Sequence, residues 1–267
     1  MELTFPHRET WLHRVNPSIK LVVSVAMFVV VVLVHNMNAM ANLCAASLLL
    51  LYGFSGHPAK RLLLYSAPFL LIFVSSAAGM AMFGEGTTTW FRYGLVHVTE
   101  ESFFRGLHLG FRALTVAALG LSFGLTTKPA HLFYSLMQQW KLPPKYAYSF
   151  LAALRMVPAM LGEFQTRRHA LRIRGAKRRF GVVGWYDALR LYSIPLLAQS
   201  IRRAHRVAVA MEAKRFSGDG RRTYYYQVSY SPADAAYLLL FALLVGASWY
   251  AGTLWPYVDA FDVRAVS

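Results

Sequence analysis

The chain has 267 residues, 56% of them hydrophobic, and a formal net charge of +16. A soluble nucleic-acid binder can carry that charge, but not with a positive mean hydropathy and several long uncharged runs. Charge and hydrophobicity must therefore be segregated along the chain.

Five apolar runs set the frame, at 21–34, 37–54, 62–83, 107–127 and 235–255. A bilayer core about 30 Å thick needs roughly 20 helical residues to cross it. Three runs reach that length and 37–54 fits at the short end. The first run is short, and Ile19 with a Lys20 expected to snorkel toward the interface extends it. The stretch "NAMAN" after it resembles a signal-peptide cleavage site, but another apolar run begins at once, which argues for an integral span. Cys44, in the second run, is the single cysteine, so there is neither a disulfide framework nor a thiol metal site. The reading is five spans in an all-α integral membrane protein.

In the fourth run Gly106, Gly110, Ala113, Ala117, Gly120 and Gly124 recur at spacings of four and three, which puts small residues along one helix face. Another helix can approach there closely, and Gly106, Gly110, Gly120 and Gly124 are the candidate packing residues. Arg105, His108 and Arg112 form a second stripe, with Arg112 expected to face the bundle rather than lipid. Two readings stand for these residues: internal packing with local pairing, or a transport pathway.

Between the fourth and fifth runs, residues 128–222 hold 19 of the 28 Lys and Arg residues against only four acids. The distribution of Lys and Arg near the membrane places this block, and the N-terminus, in the cytoplasm. Residues 1–127 then form a membrane region of four spans, 128–232 a cytoplasmic module, and 233–267 the last span with its tail. The block itself is largely helical. The stretches "YAYSFLAALRMVPAMLGEF" and "YDALRLYSIPLLAQSIRRAHRVAVAMEAKRF" have helical periodicity. Arg155 with Pro158, and Asp187 with Arg190, leave no uncharged stretch long enough to span, so these are amphipathic helices at the cytoplasmic surface. Each ends in a basic cluster, "RIRGAKRR" and "KRFSGDGRR". Exposed Arg forks favour carboxylate or phosphate, so an acidic protein groove, anionic lipid and nucleic acid are all open as partners. The "TYYYQVSY" that follows sits where an interfacial aromatic belt is expected.

Catalytic signatures are mostly absent. The dipeptide Gly-Lys never occurs, so there is no Walker A loop, and the nine His residues include no HExxH and no i, i+4 pair. No metal site is expected. A membrane-bound lipid enzyme would need a clustered acid, base or metal constellation, and the four acids of the basic block are not closely paired.

The chain resembles the transmembrane (T) components of energy-coupling factor transporters, the group that includes cobalt and biotin uptake subunits. "HRVNPSIKL" is similar to that family's opening pattern, here Asn16, Pro17, Lys20 and Leu21. "LPPKYAYSFLAALRMVP" is similar to its Leu-Pro, Ala and Arg-x-x-Pro arrangement, here Leu142, Pro143, Ala147, Arg155 and Pro158. Two signatures of Ala-Arg-Gly type correspond to Ile173, Arg174 and Gly175, and to Ala213, Lys214 and Arg215 between Glu212 and Phe216. In the second, Lys replaces Arg and Arg replaces Gly. Lys lacks the planar fork, so a contact that needs a guanidinium falls to Arg215.

The resemblance implies that these two triplets are coupling-helix ends, supported by Arg155, Pro158, Glu212 and Phe216, and that they dock on two cytoplasmic ABC-type ATPases. It also implies a membrane-embedded substrate-binding (S) component beside the chain, a vitamin or transition-metal cargo, and ATP with Mg²⁺ held in the partner chains. No cofactor and no catalytic residue are then expected in this chain, and no nucleic-acid partner. A membrane-anchored basic module that binds anionic lipid or nucleic acid is the alternative class, marked by binding that collapses steeply with salt.

Overall fold

A computed structural model describes residues 10–84, 89–93, 96–175, 181–216 and 223–256. They form α1 (Trp11–Arg14), α2 (Pro17–Leu33), α3 (Met37–Phe54), α4 (Ala59–Phe83), β1 (Thr89–Tyr93), β2 (Val96–Thr99), α5 (Glu100–Thr126), α6 (Pro129–Gln139), α7 (Pro144–Ile173), α8 (Val182–Ala213) and α9 (Pro232–Leu254). Among the described residues, α3, α4, α5 and α9 are long and apolar enough to cross a membrane, and α2 is a shorter apolar helix of 17 residues. The all-α membrane architecture expected from the apolar runs is thus borne out. The antiparallel pair β1–β2, with Arg92 opposite His97 and Tyr93 opposite Val96, was not anticipated.

The chain divides into two compact units, one of Met1–Ser135 with Val228–Ser267, the other Leu136–Gln227. In the first, the helix boundaries follow from local chemistry. Asn16 caps α2 by accepting from the Ser18 amide, with Pro17 at the first helical position, where its missing N–H is not needed. Asn36 does the same for α3, accepting from the amides of Asn38 and Ala39. Thr99 and Ser102 form a capping box for α5, and Ser231 and Asp234 one for α9. The core of this unit is built by Val23, Met27 and Val31 of α2, Met40 and Leu43 of α3, Leu119 of α5, and Tyr237 and Phe241 of α9. Leu51, Leu62 and Ala118 make a smaller cluster beside it. Along α4, Leu63, Leu64, Leu70, Leu71 and Val74 stay exposed, as side chains facing hydrocarbon do.

Lys20 corrects the sequence reading. It does not snorkel: it is 1% exposed, and its Nζ donates to the Thr126 carbonyl at 3.0 Å and to Thr126 Oγ1 at 3.3 Å. A cation at the last carbonyls of α5 satisfies an acceptor left open at the helix end and complements the dipole. Arg112 likewise makes a local contact, its Nη2 donating to the carbonyls of Val32 and Val34 at 3.2 and 3.0 Å, where α2 ends.

The second unit is an antiparallel pair of long helices. Tyr148 near the start of α7 stacks edge-on with Phe216 just past α8, at 5.6 Å between ring centroids. Midway, Arg203 of α8 and Glu163 of α7 pair at 2.5 Å. Phe164 and Tyr192 lie 5.2 Å apart. Pro158 and Pro195 sit inside α7 and α8, where each removes a helical N–H.

Candidate functional site

The two triplets singled out in the sequence occupy the same place in two helices. Ile173 is the last residue of α7, Arg174 its C-cap and Gly175 the next residue, at φ +69. Ala213 is the last residue of α8, Lys214 its C-cap and Arg215 the next, at φ 53. Each chain therefore leaves its helix through one residue in the left-handed region, the usual way to close a helix C-terminus.

The hydrogen bonds agree. At α7 the Arg174 amide donates to the Ala170 carbonyl at 3.1 Å and the Gly175 amide to Arg172 at 3.1 Å. At α8 the Lys214 amide donates to Ala210 at 3.2 Å, Arg215 to Glu212 at 2.8 Å and Phe216 to Met211 at 2.9 Å. The last two are the paired bonds of a Schellman motif, which satisfies the Met211 and Glu212 carbonyls of the final turn. The register of the second triplet follows: Arg215 stands where Gly175 stands. A non-glycine residue there is strained by about 1 kcal/mol or more, because its Cβ crowds the backbone.

Both ends are open to solvent. Ile173 is 87% exposed, and Arg174, Gly175, Ala213, Lys214 and Arg215 are exposed as well. Concentrated positive charge at a helix C-terminus is stabilised by the dipole, by about 0.3–1 kcal/mol per cation, which lets the cluster persist without a partner. Because α7 and α8 are antiparallel, the ends lie at opposite ends of the pair. Phe216 is held against Tyr148, some 25 residues of helix from Ile173, which is roughly 40 Å at 1.5 Å per residue.

Of the supporting residues, Arg155 and Pro158 lie exposed within α7, Glu212 lends its backbone carbonyl to the cap, and Phe216 is half-buried on Tyr148. Lys177, Arg178, Arg179, Arg221 and Arg222, which extend the two clusters in the sequence, fall outside the described residues. The small-residue face of α5 is divided. A Cβ on Gly106 would lie 2.5 Å from the Ala77 carbonyl oxygen, and one on Gly110 2.7 Å from the Phe73 ring, so α4 rests on these two. No described atom comes within 4 Å of such a Cβ at Gly120 or Gly124.

Sequence reasoning missed the partners of the opening motif. Asn16 Oδ1 accepts from the Ser18 amide at 3.1 Å and from Ser135 Oγ at 2.6 Å, and the Asn16 amide donates to Asp234 Oδ1 at 2.7 Å. The motif thus joins α2, α6 and α9 in one buried polar cluster. The only local signal was a helix-capping Asn before Pro.

The chain matches the cobalt transport protein family, CbiQ, over residues 8–225. It belongs to this family. The match spans both the capping motif at Asn16 and the two helix ends. Among its relatives is the energy-coupling factor transporter transmembrane protein EcfT of Macrococcus caseolyticus, 24% identical over 86% of this chain and 90% of that protein. EcfT of Limosilactobacillus fermentum is 28% identical over 87% and 90%. EcfT of Acidaminococcus fermentans is 27% identical over 89% and 92%. The chain is accordingly a multi-pass membrane protein of the energy-coupling factor transmembrane type.

Proposed function

We propose that the chain is the non-catalytic coupling subunit of an energy-coupling factor importer, bound through its two basic helix ends to two cytoplasmic ABC-type ATPases and through its membrane helices to an S component. One observation carries this reading: two exposed basic helix ends with the same cap geometry, at opposite ends of one helix pair. Two equivalent plugs far apart suit two equivalent sockets on two subunits. The triplets 173–175 and 213–215 are the plugs. Arg174 and Arg215 supply planar forks and Lys214 a point charge for acidic grooves.

The mechanism follows from rigidity. ATP and Mg²⁺ bind in the partner ATPases, and closure of those subunits displaces both sockets. The Schellman bonds at the end of α8, which satisfy the Met211 and Glu212 carbonyls, transmit the displacement instead of fraying. The Glu163–Arg203 pair and the Phe164–Tyr192 contact brace the two levers against each other midway. Coupling requires that the ends stay docked while their spacing or angle differs between the nucleotide states. The S component, reoriented by this movement, releases a vitamin or transition-metal cargo to the cytoplasm, the side on which the N-terminus and the helix pair lie.

The test is a mild-detergent pull-down of the tagged chain from its native membranes, with mass spectrometry of the recovered proteins. ABC ATPases with a small hydrophobic membrane protein are expected. Recovery of anionic lipid or nucleic acid without an ATPase would overturn the reading in favour of a surface-binding module. In the same assay Arg174→Glu and Lys214→Glu each halve the ATPase recovered per chain, since each reverses the charge of one plug. The double variant recovers none and still inserts in the membrane. Normal assembly of all three would sink the assignment of the ends.

A further inference from the structure

Where α6 passes into α7 the chain turns through a strained residue. Lys141 has φ 53, and the Trp140 and Leu142 amides both donate to the Leu136 carbonyl, at 3.0 and 3.3 Å. Glycine closes such a turn without strain, so a lysine contributes nothing to the fold here that glycine would not. What it adds is an exposed ammonium next to the exposed indole of Trp140. At the start of α7 the Lys145 ammonium lies over the Tyr146 ring, 5.0 Å from its centroid, and both side chains are exposed.

A second stretch is fastened at the same place. Gln138 Nε2, at the end of α6, donates to the Tyr226 carbonyl at 2.6 Å, and the Tyr225 and Tyr226 rings meet edge-to-face at 4.9 Å. Tyr225 is 92% exposed and Tyr226 is exposed as well. All of these residues belong to the helix-pair unit. Acids are missing around them, since residues 128–162 and 220–233 contain no Asp or Glu. Exposed Trp and Tyr rings with Lys stems reaching past them are the composition of a membrane–water interface. Six residue steps separate Tyr226 from Pro232, the first residue of the membrane helix α9, and an extended chain covers at most about 3.3–3.6 Å per residue. Tyr226 therefore lies within roughly 20 Å of that helix.

We infer that Trp140, Lys141, Lys145, Tyr146, Tyr225 and Tyr226 form a docking site for anionic phospholipid headgroups at the membrane surface. The rings enter the headgroup layer, and the two ammonium groups pair with lipid phosphates. Lysine suits this partner: a point charge on a flexible stem follows mobile headgroups, whereas the planar forks of Arg174 and Arg215 suit fixed carboxylates. The site is separate from the triplets 173–175 and 213–215 and does not depend on the coupling reading.

The test uses the full-length chain with Cys44→Ala and Ser149→Cys, labelled with bimane at position 149. Ser149 is exposed and its hydroxyl donates to the Lys145 carbonyl, so the label reports on the site without replacing a member of it. Vesicles hold phosphatidylcholine, a fixed small share of it with a nitroxide on the headgroup, either alone or with phosphatidylglycerol at about one lipid in three. Quenching of bimane is expected to rise at least about twofold with phosphatidylglycerol and to fall back in high salt. Lys141→Gln with Lys145→Gln abolishes the rise, and Lys141→Arg with Lys145→Arg keeps it. Arg168→Gln with Arg172→Gln removes the same charge at exposed positions elsewhere on α7 and leaves the rise intact. Trp140→Ser with Tyr146→Ser lowers quenching in both kinds of vesicle. No rise with phosphatidylglycerol, or an equal loss of it in the Arg168 and Arg172 double variant, overturns the inference. Quenching absent from every vesicle, together with loss of ATPase recovery in the Lys141 and Lys145 double variant, would overturn it in favour of a protein contact. Absence of ATPases from the pull-down of the unmutated chain defeats the coupling reading alone, and the quenching still decides the lipid site.

Discussion

The membrane unit hides even its polar side chains, whereas the helix-pair unit hides almost nothing. Asn16, Ser18, Lys20, Ser135 and Asp234 are buried and hydrogen-bonded in the first. In the second, α7 buries only Ala147 and α8 only Gly184. A buried polar group is tolerated only where its partners are fixed, so the first unit specifies its own geometry. Among the described residues of the second, the Tyr148–Phe216 and Phe164–Tyr192 ring contacts and the Glu163–Arg203 pair join the two helices, and most of their surface is exposed. Substitutions in the first unit should therefore change stability, and substitutions at the ends of the second should change assembly.

The largest break is expected where two helices touch without an intervening side chain. Gly106→Leu places carbon against the Ala77 carbonyl and forces α4 from α5, at about 3 kcal/mol, read by thermal unfolding in mild detergent. Lys20→Met comes next. It leaves the Thr126 carbonyl without its donor and Asp234 without a nearby cation, and a loss of about 2 kcal/mol is expected in the same assay. The smallest effect sharpens the comparison of the two helix ends. Gly175→Ala costs about 1 kcal/mol and Arg215→Gly gains about as much, since both change the crowding at a left-handed residue. Arg215→Gly also removes a guanidinium, so stability and ATPase recovery should move in opposite directions.

What could be read from the sequence divides along the same line. Each apolar run lies in a helix whose boundaries differ from the run by only a few residues, apart from the longer start of α5, because span length and side-chain polarity are properties of a continuous stretch. The basic ends were legible for the same reason: charge clusters next to a Gly or Ser stop are local. Lys20 was misread because the carbonyl that holds it lies 106 positions away, and nothing near Lys20 announces it. The joining of Asn16 to Ser135 and Asp234 was hidden for the same reason. The β1–β2 pair was passed over because its strands are five and four residues long, too short for alternation to stand out. The left-handed conformation of Arg215 was legible only by comparison with Gly175, since an Arg gives no sign of positive φ.

The buried cluster at Asn16 also sets an order on biogenesis. α2 leaves the ribosome first, yet the carboxylate that receives the Asn16 amide arrives 218 positions later. At about 5–20 residues per second that delay is roughly 10–40 s. Until then the Asn16 amide lacks its final acceptor, whereas Lys20 can already reach Thr126 at the end of α5. A chain that stops before α9 lacks the Asp234 acceptor, so a truncated product carries one unpaired amide at Asn16 that only the chain with α9 can bury.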